Sequence, residues 1–271
     1  MGGFARFPKQ AFSLVELSIV LVILGLLVGG VLSGQSLIRA AELRSVTRDL
    51  GNYRSAVYAF RDKYFALPGD MANATTFWGT DNVGCPNGGG SSGTCNGDGD
   101  GNIGSPTGVG NICEVQEFWR QLALAGLIEG HYTPNTTVNC FANTTPGQDS
   151  AKLSLNSAGL MITAVENITS NAAFPGNALF IGNYSNTFFA GLSSANGINM
   201  NPFLKPEEAW NIDTKMDDGD PATGIVRTIY PGIYGPAVGT TSCVTTNVVS
   251  TAQYNLSNSS TACALVVDSG F

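Results

Sequence analysis

The sequence predicts an α+β chain: one long N-terminal helix packed on a loop-rich, disulfide-bonded globular head with a small antiparallel β-sheet. Three observations predict it. Residues 12–32 form a predominantly apolar run that passes without a break into an amphipathic stripe ending near Tyr64. All six cysteines lie beyond that segment. The rest of the chain alternates short apolar runs with Gly, Asn, Ser and Thr, which punctuate strands and turns.

The apolar run, FSLVELSIVLVILGLLVGGVL, matches the roughly 20 helical residues that a bilayer core requires. A short polar leader carrying Arg6 and Lys9 precedes it and ends in Ala11. Glu16 is the one acid in the run. An unpaired carboxylate at membrane depth costs on the order of a few kcal/mol, so Glu16 needs a partner. If the chain is cut between Ala11 and Phe12, the new amine of a neighbouring copy supplies one. Farther on, Leu43, Val46, Leu50, Tyr53, Val57, Phe60 and Tyr64 recur at steps of three and four, the spacing of one helix face. Six of the eleven basic residues left after such a cut (Arg39, Arg44, Arg48, Arg54, Arg61, Lys63) lie around that stripe. The predicted division is a leader at 1–11, a membrane or filament-core half-helix at 12–34, an amphipathic half at 35–67 and the head at 68–271. Gly25, Gly29, Gly30 and Gly34 weaken the helix or let it pack closely on another. Both readings stand.

Phe12-Ser13-Leu14-Val15-Glu16-Leu17 resembles the processing motif of the type IV pilins and pseudopilins, with Ala11 standing where that family nearly always has Gly. The resemblance implies cutting by prepilin peptidase on the cytoplasmic side and methylation of the Phe12 amine. It also implies assembly through Phe12 and Glu16 into a homo-oligomeric helical filament, driven by a platform protein and an ATPase. The subunit would wait in the bacterial inner membrane as a single-pass protein with its head in the periplasm. It would end in an extracellular type IV pilus or a periplasmic type II secretion pseudopilus. A head larger than a compact major pilin needs leaves room for a minor pilin or tip adhesin. The remaining alternative is an uncleaved, membrane-anchored periplasmic calcium-binding protein. A secretory signal peptide fits less well, because its apolar run is shorter and carries no acid.

Removing the leader moves the formal charge from −7 to −9, which argues against nonspecific nucleic-acid binding. An even number of cysteines, all in the exported part, reads as disulfides, and without a CxxC pair no zinc site is expected. After the helix, YFALPGD at 64–70 resembles a corner motif of pilin-like proteins, with its apolar residues tucked under the head. The loop at 81–112 contains Asn96-Gly97-Asp98-Gly99-Asp100-Gly101-Asn102-Ile103, which resembles the first eight positions of a calcium loop. Asn96, Asp98, Asp100 and Asn102 are therefore candidate Ca²⁺ ligands. Thr107 stands at the twelfth position, where a bidentate Glu is expected, and Glu114 or Glu117 could substitute from the next helix.

That helix is expected over 114–127, stopped by Gly130, and another over 206–216 behind Pro206. Strands are expected within 152–165, at 178–181 and at 225–229, with a short apolar run at 264–267. Asp213, Asp217, Asp218 and Asp220 form a second acidic cluster, read first as a solvated helix end. Its second reading is a further cation site, because acids at a helix C-terminus oppose the dipole and invite a cation. The pilin resemblance implies a disulfide between Cys243 and Cys263. Cys85, Cys95, Cys113 and Cys140 allow three pairings. His131 is the single histidine, and no nucleophile–base arrangement or phosphate loop is evident, so no enzyme is expected.

Overall fold

A computed structural model describes residues 13–83, 92–104, 114–134, 145–155, 158–165, 185–191, 201–228, 243–246 and 251–271. Ala11, Phe12, Cys85, Thr107, Cys113, Cys140 and the strand expected at 178–181 lie outside the described residues. The chain divides into two compact units, the first ending at Glu42 and the second running from Leu43 to Phe271.

Helix α1 spans Leu14–Tyr64 without interruption through Gly25, Gly29, Gly30 and Gly34. In the first unit its apolar side chains, Leu17 through Leu32, are exposed, and the helix is long and apolar enough to cross a membrane. In the second unit the same helix behaves as a core element. Val46, Leu50, Val57 and Phe60 are fully buried, with Leu43, Tyr53 and Tyr64 half-buried beside them. The stripe read from spacing is therefore the buried face. Each such side chain contributes about 1.5–3 kcal/mol on leaving water.

The remaining elements are α2 (Ala74–Trp78), α3 (Glu114–Leu124), β1 (Ala151–Lys152), β2 (Gly159–Val165), β3 (Ser185–Gly191), α4 (Pro206–Met216), β4 (Val226–Thr228) and β5 (Leu265–Asp268). The sheet order is β1-β2-β3-β5-β4, and every neighbouring pair is antiparallel. Its register sets Ile162 opposite Phe188, Phe188 opposite Val267, and Val267 opposite Val226. These directly opposed residues share one face, so the row is a continuous apolar band across four strands.

Helix α3 is more central than its amphipathic pattern suggests. Every residue from Glu114 to Leu122 is buried, five of them polar or charged. Trp119 packs edge-on against Tyr53 of α1 at 5.2 Å and lies 6.1 Å from Phe188 of β3, which ties α1 to the sheet. The polar side chains hold the segment before the acidic loop. Arg120 meets Asp81 at 2.6 Å, the Thr94 hydroxyl donates to Glu117 at 2.6 Å, and the Gln121 amide donates to the Cys95 carbonyl at 3.0 Å. Buried charges survive desolvation only with such partners.

Helix α3 ends at Leu124, three residues short of the expected 127. The stop is Gly126 rather than Gly130: at φ +72° it lets its own N–H reach the Ala123 carbonyl and the Leu127 N–H reach that of Leu122. This pair of bonds is the Schellman motif, which closes a helix with a left-handed glycine. Helix α4 starts where Pro206 directs, and the Lys205 N–H donates to the Glu208 carboxylate at 2.9 Å. Cys243 and Cys263 form a disulfide, and Cys95 is also disulfide-bonded.

Asp149 supplies a pH test of the head's packing. It is buried, and its carboxylate accepts the Thr145 N–H at 2.7 Å. Burial pushes its pKa up to about 6. A folded pKa above the unfolded value of about 3.9 means that the native state binds the proton more tightly. This stabilisation is complete below the unfolded pKa and is lost as pH rises through about 6. Denaturant titrations of Asp149→Asn against the parent should show the variant gaining on the order of 2 kcal/mol, relative to the parent, between acidic and neutral pH. A difference that does not change with pH would contradict this.

Candidate functional site

Two places carry chemistry. The first is the start of α1, where Ser13 and Glu16 both cap the helix. The Ser13 N–H donates to Glu16 Oε2 at 2.9 Å, and Ser13 Oγ accepts the Val15 N–H at 3.3 Å. A helix begins with unpaired N–H groups, and a Ser followed three residues later by Glu satisfies two of them reciprocally. Glu16 is thus the residue that caps its own helix as well as the acid in an otherwise apolar, exposed surface. That capping role was readable as S-x-x-E and was missed beside the stronger membrane signal.

The second place is the acidic loop, and it is built on the PGD corner. The Gly97 N–H donates to the Met71 carbonyl at 3.0 Å, and a side chain at Gly97 would overlap the Gly69–Asp70 backbone. Gly69, at φ +84°, likewise presses on the Glu114 carbonyl. Close approach of this kind requires glycine. Two buried acids from outside the loop then grip it. Asp70 accepts the Gly99 N–H at 2.7 Å and the Gly101 N–H at 3.0 Å. Glu114 accepts the Asp98 N–H at 3.0 Å and the Gly104 N–H at 2.7 Å.

The carboxylates of Asp70, Asp98 and Glu114 offer oxygens that all lie within 4.8 Å of one another. Among the described residues no basic side chain pairs with any of the three. Burial is the main cause that raises Asp70 to about 6 and Glu114 to about 7; their loop amide bonds pull the other way, while neighbouring carboxylates add to the rise. Of the two acids among the four ligands expected from spacing, Asp98 belongs to this group and Asp100 does not. Asn96 Oδ1 accepts the Thr75 N–H at 2.8 Å, at the start of α2. Asp100 Oδ1 accepts the Asn102 N–H at 2.7 Å, closing a local turn.

A family model, the prokaryotic N-terminal methylation motif, matches residues 6–32. The chain carries the prepilin-type motif of type IV pilins and pseudopilins. Comparison with curated proteins and with solved structures gave no match. The motif, the long N-terminal helix and the α+β head together support a type IV pilin-like or pseudopilin reading. Such a motif points to a structural protein rather than an enzyme, and with the apolar α1 it fits a membrane-anchored pilin precursor.

In this pilin-like head the second acidic cluster brings Asp213, Asp217 and Asp218 together. Their oxygens are engaged in shaping the turn after α4. Tyr254 donates its hydroxyl to Asp213 at 2.7 Å, the Ile225 N–H donates to Asp217, and Thr223 donates to Asp218 at 2.7 Å. Asp220 lies apart from that trio and accepts the Ala222 N–H at 2.9 Å. Sequence reasoning missed Asp70 as part of a site. The signal was present in PGD, an acid after a forced corner, but nothing in the linear order places residue 70 under residues 99 and 101. Glu114 was named only as a substitute for Thr107.

Proposed function

We propose that this protein is a structural subunit of a type IV pilus or of the related type II secretion pseudopilus. The single observation that carries the reading is the methylation motif at 6–32, with Glu16 in the first turn of an exposed apolar helix. Prepilin peptidase removes residues 1–11, and the methylated amine of Phe12 becomes the new terminus. The subunit waits in the inner membrane with its head in the periplasm, where Glu16 is held by its own Ser13 N–H. During assembly the Phe12 amine of one copy meets Glu16 of the next. Neutralising a buried carboxylate favours its entry into the apolar core of the filament. A platform protein and an ATPase drive extrusion.

The size of the second unit, Leu43–Phe271, favours a second reading as a minor subunit with a binding head. Quantifying the protein in sheared or purified filaments separates the two. A major subunit dominates the preparation, a minor one appears at trace level, and complete absence contradicts both.

We also propose that the loop holds Ca²⁺ through Asp70, Asp98 and Glu114. Clustered carboxylates are the hard oxygen donors that calcium selects, and each oxygen has lone-pair capacity beyond one amide bond. The ion would supply the positive charge that the described residues around the cluster do not.

A further inference from the structure

Phe65 has a backbone that its own molecule does not explain. It follows the last residue of α1, its N–H donates to the Arg61 carbonyl at 2.8 Å, and its φ is +55°. Helices commonly close on a left-handed residue at this position, and that residue is usually glycine. For a bulky side chain the same conformation is an outlier, and strained residues of this kind persist at sites of function. The ring gains nothing inside the chain, being 94% exposed. The resemblance of YFALPGD to a corner motif implies apolar residues tucked under the head. Leu67 is so placed, and Phe65 is not.

Phe65 stands on an open groove of about 930 Å³, lined also by Tyr58, Arg61, Asp62, Asp70 and Asp100. Among the described residues, Asp62 and Asp100 have no basic partner. Arg61 sets one positive charge against the three carboxylates, so the groove is an aromatic and net acidic surface, suited to a guanidinium group that stacks on a ring while pairing with a carboxylate. The same unit carries a complementary surface. Arg44 and Arg48 lie one turn apart on α1, both exposed, and neither has an acidic partner among the described residues.

We infer that the Phe65 groove is the seat for the Arg44–Arg48 turn of a second copy of this chain. The inference rests on the filament reading, in which neighbouring α1 helices run parallel. Residues 48 and 65 are 17 positions apart, so the two copies are displaced along the helix by about 25 Å.

The test places the photo-crosslinker p-benzoyl-phenylalanine at position 65 of the full chain in its own host. Assembled material is irradiated, digested and sequenced by mass spectrometry. The expected product has twice the chain's mass, with the crosslink between residues 40 and 54 of the second copy. A crosslink elsewhere in that copy, a crosslink to a different protein, or intact filaments with no crosslink overturns the inference and leaves the filament reading standing. If the wild-type chain forms no filaments, both fall. A second variant keeps the question open to a simpler readout. Phe65→Gly relieves the backbone, so the head's Tm should rise by a few degrees while filament yield drops about tenfold. A raised Tm with undiminished yield contradicts the assignment.

Discussion

Glu16→Ala is expected to leave the head folded and to remove the protein from filaments. Among the described residues the carboxylate is partnered by the Ser13 N–H at 2.9 Å, and in the proposed filament it gains the Phe12 amine of the adjacent copy. Losing a charge pair in an apolar setting corresponds to about 2–3 kcal/mol, or roughly a 100-fold fall in filament yield. Alanine also removes the cap, a separate effect of about 1 kcal/mol on the first turn. Glu16→Gln separates the two, because an amide oxygen can still accept the Ser13 N–H but cannot pair with an amine. Quantitative immunoblots of the sheared and membrane fractions should show both variants retained in the membrane. Normal filaments from Glu16→Gln would mean that capping, not charge, is what assembly uses.

The second large effect is expected at the acidic loop. Calcium supplied at about 100 times its dissociation constant contributes about 2.7 kcal/mol to a native state that alone binds it. For a head of this size that is a rise in Tm of roughly 5–10 °C over the same protein in chelator. Asp70→Asn should abolish the response. It should also lower the Tm in chelator, because one of the two loop amides held by Asp70, that of Gly99 or Gly101, then faces an NH₂ group. An unsatisfied donor of this kind costs about 1–3 kcal/mol. Melting curves that coincide in calcium and in chelator would show that the loop is held by its amide bonds alone.

The long helix, the buried stripe from Val46 to Phe60 and the start of α4 at Pro206 were all legible in the sequence. Each is encoded by neighbours three or four residues apart. The central strand β3 was not. Its sequence, SNTFFAG, has one short apolar run between residues typical of turns, and its position comes from pairing with β2 on one side and β5 on the other. Helix α2, five residues long, has too little periodicity to read. The acidic loop was found by its alternating Gly and Asp, yet two of its three clustered acids lie 28 residues before and 16 after Asp98. Spacing identified the loop, and only folding shows which carboxylates face one another.

The central claim is that this chain is processed and assembled as a pilin. Mass spectrometry of the mature N-terminus, taken from the membrane or filament fraction, tests it most directly. The account expects a peptide that begins at Phe12 and carries one added methyl group. A chain that still begins at Met1 would show that Ala11 does not permit the cut, and the Phe12 amine would not exist to meet Glu16.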